Sequence, residues 1–284
     1  VANIKASIVL AFYNDTELLA LVLEALKAQY QGQFEVVIAD DGSSPDAVIQ
    51  VKQMLRDCPY PTRHFWHADD GFRKTIIMNQ AASEAQGETL IFIDADCVPQ
   101  MHFVDDHLHA SQTGLCLAGR RIDVFRDAAK LLDCRKPARI VTGHVVKLLY
   151  WSVTSKARNV ERGIRLPRPM AAQFASTRWG LVGCNFSLRK SDFMAINGFD
   201  ERHAVTWGAE DSDLQRRLLK AGMKIKGLRY QATMIHFDAS YFKRKDTVSM
   251  VRHQGLSLYD QAAAEDRAWT PYGIIKEDRP DPRF

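Results

Sequence analysis

The residues best suited to chemistry in this chain are acidic, and they cluster at the ends of apolar runs. Asp94-Ala95-Asp96 closes the run Leu90-Ile91-Phe92-Ile93. On an extended chain, carboxylates at i and i+2 point the same way, so this pair suits a divalent cation and a sugar hydroxyl. Oxygen ligands favour magnesium or manganese. A cation there would bridge a diphosphate and offset the charge that builds as it leaves. The plainer reading is a solvated turn at a strand end. Asp40-Asp41-Gly42-Ser43 follows Val36-Val37-Ile38-Ala39. A carboxylate there can accept a hydrogen bond from a uracil imide or a ribose hydroxyl, although Asp-Gly is also an ordinary turn and helix cap. Arg73 and Lys74 come just after Asp69-Asp70-Gly71-Phe72. They are placed either to grip a diphosphate, arginine in its forked geometry, or to sit in a solvated turn.

Two further runs lie late in the chain. Trp207-Gly208-Ala209-Glu210-Asp211-Ser212-Asp213 puts three carboxylates where a helix begins, a position the helix dipole favours for acids in any case. Trp207 offers a flat stacking face for an acceptor sugar, or a core anchor. His236 lies in Met234-Ile235-His236-Phe237, where a satisfied core histidine is the ordinary expectation.

The elements that must position these residues alternate. Strands are expected at 4–12, 34–39, 63–67 and 89–94. Helices are expected after the capping-box pattern Asn14-x-x-Glu17, after Ser44-Pro45, and over 75–85. Leu18, Leu19, Val22, Leu23 and Leu26 share one broad helix face. Strand-helix alternation implies a largely parallel α/β sheet, whose ligands bind beyond the carboxyl ends of the strands. Both acidic pairs should then face one crevice. The later chain reads as strands at 115–124, 183–188 and 224–237, with helices at 191–196 and 211–221. The expected division is a nucleotide-binding half over 1–118, an acceptor-binding and catalytic half over 119–239, and an extension over 240–284.

Composition narrows the classes. The 284 residues are 46% hydrophobic and 25% charged, ample for a packed core and unlike a disordered chain. A net charge of +4 without a basic stripe does not suit a nucleic-acid binder. The five cysteines are odd in number and lack C-x-x-C spacing, which disfavours a disulfide framework or zinc site and points to a reducing cytoplasm. No leader is recognisable, and no run approaches the roughly 20 apolar residues of a membrane span. The expectation is a cytoplasmic protein, resting at most on the inner face of the membrane.

Taken together, Ala11-Phe12-Tyr13, Asp40-Asp41-Gly42-Ser43 and Asp94-Ala95-Asp96 resemble the pattern of glycosyltransferase family 2 on the GT-A fold. Asn197-Gly198-Phe199-Asp200 and the run from Trp207 to Asp213 resemble the C-terminal motif of β-1,4-galactosyltransferases and bacterial chondroitin polymerases. The resemblance covers about residues 4 to 240. It implies a metal-dependent, inverting transferase that moves a hexose or N-acetylhexosamine from a UDP-sugar to a glycan or glycolipid, in surface polysaccharide or lipopolysaccharide assembly. It places Ala11, Tyr13 and Asp41 at the nucleoside, with Asp40 as their neighbour in the nucleotide site and Asp94 at the ribose or donor sugar. It gives Asp96 and His236 to Mn²⁺ or Mg²⁺, Asp211 to the catalytic base, and Glu210 to acceptor or donor hydroxyls. The Gln-x-x-Arg-Trp motif of the processive polymerases is missing, which favours addition of single sugars. A nucleotide-sugar-forming nucleotidyltransferase would open with a glycine-rich loop where this chain has Ala11-Phe12-Tyr13-Asn14. A non-catalytic carbohydrate-binding protein would have no use for a metal pair beside a nucleotide pocket.

One segment is left over. Lys147, Lys156, Arg158, Arg162, Arg165, Arg168 and Arg178 mix with Leu148, Leu149, Tyr150, Trp151, Ile164, Leu166 and Trp179, and Glu161 is the only acid in the interval. Basic residues among apolar ones suit peripheral contact with an anionic membrane, or a solvated wall on the acceptor side.

Overall fold

Four strands form first in chain order, because each is a short apolar run with turn residues at its end: β1 (Ala6–Phe12), β2 (Phe34–Asp40), β3 (Thr62–Trp66) and β4 (Thr89–Asp94). Every residue of β1 and β2 is buried, as expected of strands covered on both faces. The structure is a computed structural model and describes residues 4–176, 180–205, 209–238 and 256–276. Helices α1 (Thr16–Lys27), α2 (Pro45–Arg56) and α3 (Lys74–Glu84) connect the four strands, all parallel.

The cap of α1 differs from the expected one. Asp15, not Asn14, caps the helix, accepting from Leu18 N–H at 3.1 Å. Asn14 takes a left-handed φ of 58° and reaches across to the turn after β2, accepting from Ser44 N–H at 2.9 Å. Ser44 caps α2 as its sequence implies, with Pro45 in the first turn.

The chain continues through β5 (Cys97–Pro99), α4 (Phe103–Ala110), β6 (Leu115–Ala118), β7 (Arg120–Phe125), α5 (Arg126–Ala129), α6 (Ile140–Gly143), α7 (Val145–Val153), β8 (Ala157–Arg158) and α8 (Arg168–Ala172). It ends with β9 (Asn185–Arg189), α9 (Lys190–Ala195), α10 (Glu210–Lys220), β10 (Lys224–Gly227) and β11 (Thr233–Asp238). The main sheet has the order β10-β6-β9-β4-β1-β2-β3, with β9 alone antiparallel among them. A second sheet, β5-β11-β7-β8, lies beyond its carboxyl edge.

Two expected long strands are each broken in two. The 115–124 run splits at Gly119, and the 224–237 run splits between Gly227 and Thr233. In both, the first piece joins the main sheet and the second joins the small one. At Gly119 the reason is steric: a Cβ there would sit 2.1 Å from Asn185 Oδ1. The main sheet therefore draws strands from both sides of residue 118, and the two expected halves share it.

Under the main sheet, Phe92 stacks on Phe186 at 4.6 Å and meets Phe193 and Phe199 edge-on or tilted. Truncating such a ring costs about 3–5 kcal/mol. The Asn197-Gly198-Phe199-Asp200 run supplies one of these rings and also ties down the C-terminal extension. Asn197 Nδ2 donates to Thr270 O at 2.7 Å and Ile275 O at 2.9 Å, and Asp200 accepts from Thr270 Oγ1 at 2.8 Å. These polar contacts, beside Ile274 packed on the core, dock an extension in which the sequence shows few core signals.

Arg165 forks onto the fully buried Asp106, at 2.9 and 2.8 Å, and Arg168 pairs with Asp105. These arginines hold the fold together and do not form a free basic surface. Leu148 and Trp151 are likewise buried, while Arg178 and Trp179 lie outside the described residues.

Candidate active site

The carboxyl ends of β1, β2 and β4 lie side by side, with Ala11 opposite Asp94 and Phe12 opposite Asp40. The chain after β2 is pinned to this edge by Asp41 N–H donating to Phe12 O, and the chain after β4 by Ala95 N–H donating to Ala11 O, both at 2.9 Å. Tyr13 projects from the end of β1, half exposed, its hydroxyl on Asp69 at 3.1 Å.

The two carboxylates after β2 have separate tasks. Asp40 is fully buried, its oxygens taken by Ser43 N–H at 2.9 Å and His64 Nε2 at 2.9 Å. It holds the turn from behind, as a neighbour of Asp41, and has no exposed edge of its own toward a nucleoside. Asp41 keeps an edge to solvent. It accepts from Arg73 N–H at 3.1 and 3.2 Å and bonds His67 Nε2 at 2.8 Å. Gly42, at φ 88°, lets the 67–73 loop close over the turn, since a Cβ there would lie 2.6 Å from Asp69 Cα.

Arg73 and Lys74, expected alike at the diphosphate or in a solvated turn, point different ways. The Arg73 guanidinium folds back onto Ala68 O and Asp70. Lys74, at the start of α3, puts its ammonium 2.7 Å from Asp94 Oδ1. Burial pulls the Lys74 pKa down, but the Asp94 and Glu210 carboxylates outweigh it and hold the ammonium charged well above its usual range.

Asp94 and Asp96 do not share one direction, because Ala95 and Asp96 form a turn that breaks the extended alternation. Asp94 turns to Lys74. Asp96 turns to His236, whose Nε2 lies 3.3 Å from Asp96 Oδ2. His236 is brought there by β11, which pairs with β7 so that His236 stands opposite Asp123, and its Nδ1 meets Asp123 Oδ1 at 3.0 Å. Burial lowers the imidazolium pKa, but hydrogen bonds to Asp123 and Asp96 push it up to about 10. Asp96 is opposed by burial too, yet the His236 contact leaves its pKa below the ordinary value. Ligand atoms of Asp96, Cys97 and His236 lie within 4.8 Å of one another. One imidazole and one carboxylate so close, with the ring oriented by a further carboxylate, make a donor set that fits a divalent metal.

Helix α10 brings the third group. Its N-cap Ala209 is a non-glycine residue with φ 87°, so strain is stored where its first turn meets the crevice. Among the described residues, the buried Glu210 Oε2 has no hydrogen-bond partner, and burial raises the Glu210 pKa despite the pull of Lys74. Asp211 accepts from Gly183 N–H at 3.2 Å. Asp213 is wholly buried against Arg216 and Arg217, a structural role. Trp207 lies outside the described residues.

Sequence reasoning left Lys74 as a partner of Arg73 and missed Asp123, Cys97, Cys184 and His67. Cys184 Sγ sits beside Arg121 Nη1 at 3.0 Å, next to the Cys97 thiol. The signal for Lys74 was its place one residue inside a helix start. Asp123 gave no signal of its own, because only the β7–β11 register reveals it.

Comparison with known proteins now bears on this geometry. Residues 7–130 match the family Glycosyl transferase family 2, and residues 170–240 match the N-terminal domain of galactosyltransferase. The two matches support a glycosyltransferase family 2 domain followed by a galactosyltransferase-like C-terminal motif. Among curated relatives, the chain is 24% identical over 258 residues to the uncharacterized glycosyltransferase YfnE of Bacillus subtilis strain 168. It is 26% identical over 257 residues to the O-antigen biosynthesis protein RfbC of Myxococcus xanthus. The matches cover 82% and 86% of this chain but only 64% and 18% of those relatives. Among solved structures, the mannosyltransferase PcManGT of Pyrobaculum calidifontis, in complex with GDP-Man and Mn²⁺, superposes with a TM-score of 0.60 at 16% identity, over 94% of this chain and 66% of that one. GalNAc-T7 with UDP, GalNAc and Mn²⁺ gives 0.61 at 13% identity, over 95% and 52%. The fold is GT-A, α/β with a mostly parallel mixed sheet. Among the described residues, no helix is long and apolar enough to cross a membrane.

Proposed function

We propose that this protein is an inverting hexosyltransferase that moves a hexose or N-acetylhexosamine from a UDP-sugar to a glycan or glycolipid, in assembly of a bacterial surface polysaccharide or lipopolysaccharide. The observation that carries the reading is the meeting of three groups at one sheet edge: Asp41 beyond β2, Asp94 with Lys74 beyond β4, and Glu210 with Asp211 at the start of α10. The family match, the O-antigen relative and the structural neighbour holding UDP support it.

In this reading Ala11, Tyr13 and Asp41 line the nucleoside pocket and Asp94 accepts from a ribose or donor-sugar hydroxyl. Lys74 holds Asp94 in place and sets a fixed positive charge beside the diphosphate. Asp96 and His236 would hold the divalent ion, and the imidazole nitrogen favours manganese over magnesium. When bound, the ion supplies charge that stabilises the departing diphosphate. Asp211 takes the proton from the attacking acceptor hydroxyl. Glu210, whose buried Oε2 has no partner among the described residues, accepts from a sugar hydroxyl. One positioned base suits direct displacement, so the anomeric configuration inverts. A cavity of about 80 Å³ lined by Arg120, Arg162, Arg229, Glu161, Gly227 and Tyr230 lies by the carboxyl ends of β6 and β10. Its surplus of guanidinium groups suits an acceptor that bears phosphate or carboxylate, as a glycolipid at an anionic membrane surface does.

The test is a panel of UDP-, GDP- and CDP-sugars with glycolipid acceptors, followed by mass spectrometry of the product and assignment of its anomer. Transfer from a UDP-sugar with inversion is expected. Retention of configuration, or formation of a nucleotide-sugar from a sugar phosphate, contradicts the reading.

A further inference from the structure

Helix α7 is apolar on every side: of its nine residues, Val145-Val146-Lys147-Leu148-Leu149-Tyr150-Trp151-Ser152-Val153, only Lys147 and Ser152 are plainly polar. A helix of that composition is normally buried all round. This one buries Leu148 and Trp151 and leaves the other side open. Val146 is 82% exposed, Val153 83% and Tyr150 64%, with Leu149 and Val145 about half exposed. Val146, Leu149, Tyr150 and Val153 follow the i, i+3, i+4, i+7 pattern of a single helix face. Exposed Leu131 adjoins it, since Lys147 Nζ donates to Leu131 O at 2.9 Å.

The segment that carries this face is strongly basic. Residues 126–158 contain eight Lys or Arg and two Asp, a net of +6 on a chain whose whole net is +4, so the remainder of the chain is net −2. The two acids, Asp127 and Asp133, lie against Lys130 and Arg135. Lys136, Arg139 and Lys156 are exposed and hold no ion pair among the described residues.

We propose that the exposed face of α7 docks on the headgroup layer of an anionic lipid bilayer. Nine residues make a helix about 14 Å long, too short to span, so it lies in the plane of the interface. Val146, Leu149 and Val153 enter the acyl boundary, Tyr150 sits at headgroup level, and Lys130, Lys147 and Lys156 meet lipid phosphates. The docked helix is tied to the site. From its end the chain runs through Lys156 into β8 and Asn159, whose Nδ2 holds Asp123 Oδ2 at 2.8 Å, and Asp123 orients His236. The crevice would thus face a glycolipid at the membrane surface, and this purpose rests on the acceptor reading above.

The experiment is co-sedimentation of the full chain with vesicles of phosphatidylcholine alone or mixed with phosphatidylglycerol, at low and high salt, without donor or acceptor. Binding is therefore read separately from transferase activity, and a negative result leaves that activity standing. The chain should sediment with the anionic vesicles and be released by salt. The triple variant Val146→Ser, Leu149→Ser, Val153→Ser and the double variant Lys130→Gln, Lys156→Gln should each lower the partition coefficient about tenfold or more. Both alter exposed side chains, so melting temperature and nucleotide affinity should stay at wild-type values. Equal binding to neutral vesicles overturns the charge argument. A chain that stays in the supernatant, or a dimer that the triple variant dissociates, overturns the bilayer as the occupant.

Discussion

Replacing Lys74 by methionine removes a charge from the crevice and keeps the length of the side chain. Its ammonium lies 2.7 Å from Asp94 and is also held by Glu210. Without it, Asp94, Glu210 and Asp211 crowd the place where a diphosphate should bind. Two unit charges 4 Å apart interact by about 4 kcal/mol at an effective dielectric of 20. Lys74 and Asp94 are 19% and 28% exposed, and solvent screening reduces that figure to about 1–3 kcal/mol. The expected loss in kcat/KM is therefore about 5- to 150-fold. Arg73→Met is the control, because the Arg73 guanidinium is spent on Ala68 O and Asp70, and its loss should cost no more than a few-fold. The assay is steady-state transfer with saturating acceptor and varied UDP-sugar, alongside nucleotide titration of both variants. Equal damage from the two substitutions, or a Lys74→Met enzyme with wild-type donor affinity, refutes the assignment of the diphosphate-facing charge.

Asp211→Asn should keep donor affinity and lose about 10²- to 10⁴-fold in turnover, since an amide cannot take the proton; if Glu210→Gln loses more, the base is Glu210. Asp123→Asn should weaken manganese binding about 10- to 100-fold by releasing the His236 ring, and unchanged affinity in a metal titration would show that the contact is incidental. His107 is buried between Ser187 and Asn185, and burial lowers its pKa from 6.5 to about 4. Its unfolded form binds the proton more readily, so stability is full above pH 6.5 and falls by about 3 kcal/mol as pH drops to 4. His107→Gln should flatten that slope in urea titrations at pH 7 and pH 4.5; parallel slopes in both proteins would place the acid lability elsewhere.

The regular part of the fold was legible because each of its elements carries its own signal. β1, β2 and β4 are unbroken apolar runs, and Ser44-Pro45 announces α2 locally. What stayed hidden depends on contacts between distant segments. Gly119 looks like a tolerated strand glycine until Asn185 is seen against it. Asp40 and Asp41 are the same residue type one position apart, and only His64 and His67, supplied by β3 and the chain after it, give them different tasks. Arg73 and Lys74 are adjacent and read alike, and only the start of α3 shows that Lys74 meets Asp94 while the Arg73 guanidinium folds back onto Ala68 O. Arg165 and Arg168 read as surface charge because Asp105 and Asp106, their partners, lie about 60 residues earlier. The motif carboxylates Asp94, Asp96, Glu210 and Asp211 were found by pattern. Their electrostatic coupling through Lys74 and His236 was not.

We propose the crevice beyond β1, β2 and β4 as the seat of a UDP-sugar, with a divalent ion on Asp96 and His236. Calorimetric titration of UDP into the protein, with manganese and with chelator, in wild type and in Asp96→Ala, tests it most directly. The expected result is saturable UDP binding that needs manganese in the wild type, is tighter than for GDP or CDP, and gains nothing from manganese in Asp96→Ala. Equal UDP affinity with manganese and with chelator, or an Asp96→Ala protein that still responds to manganese, contradicts it.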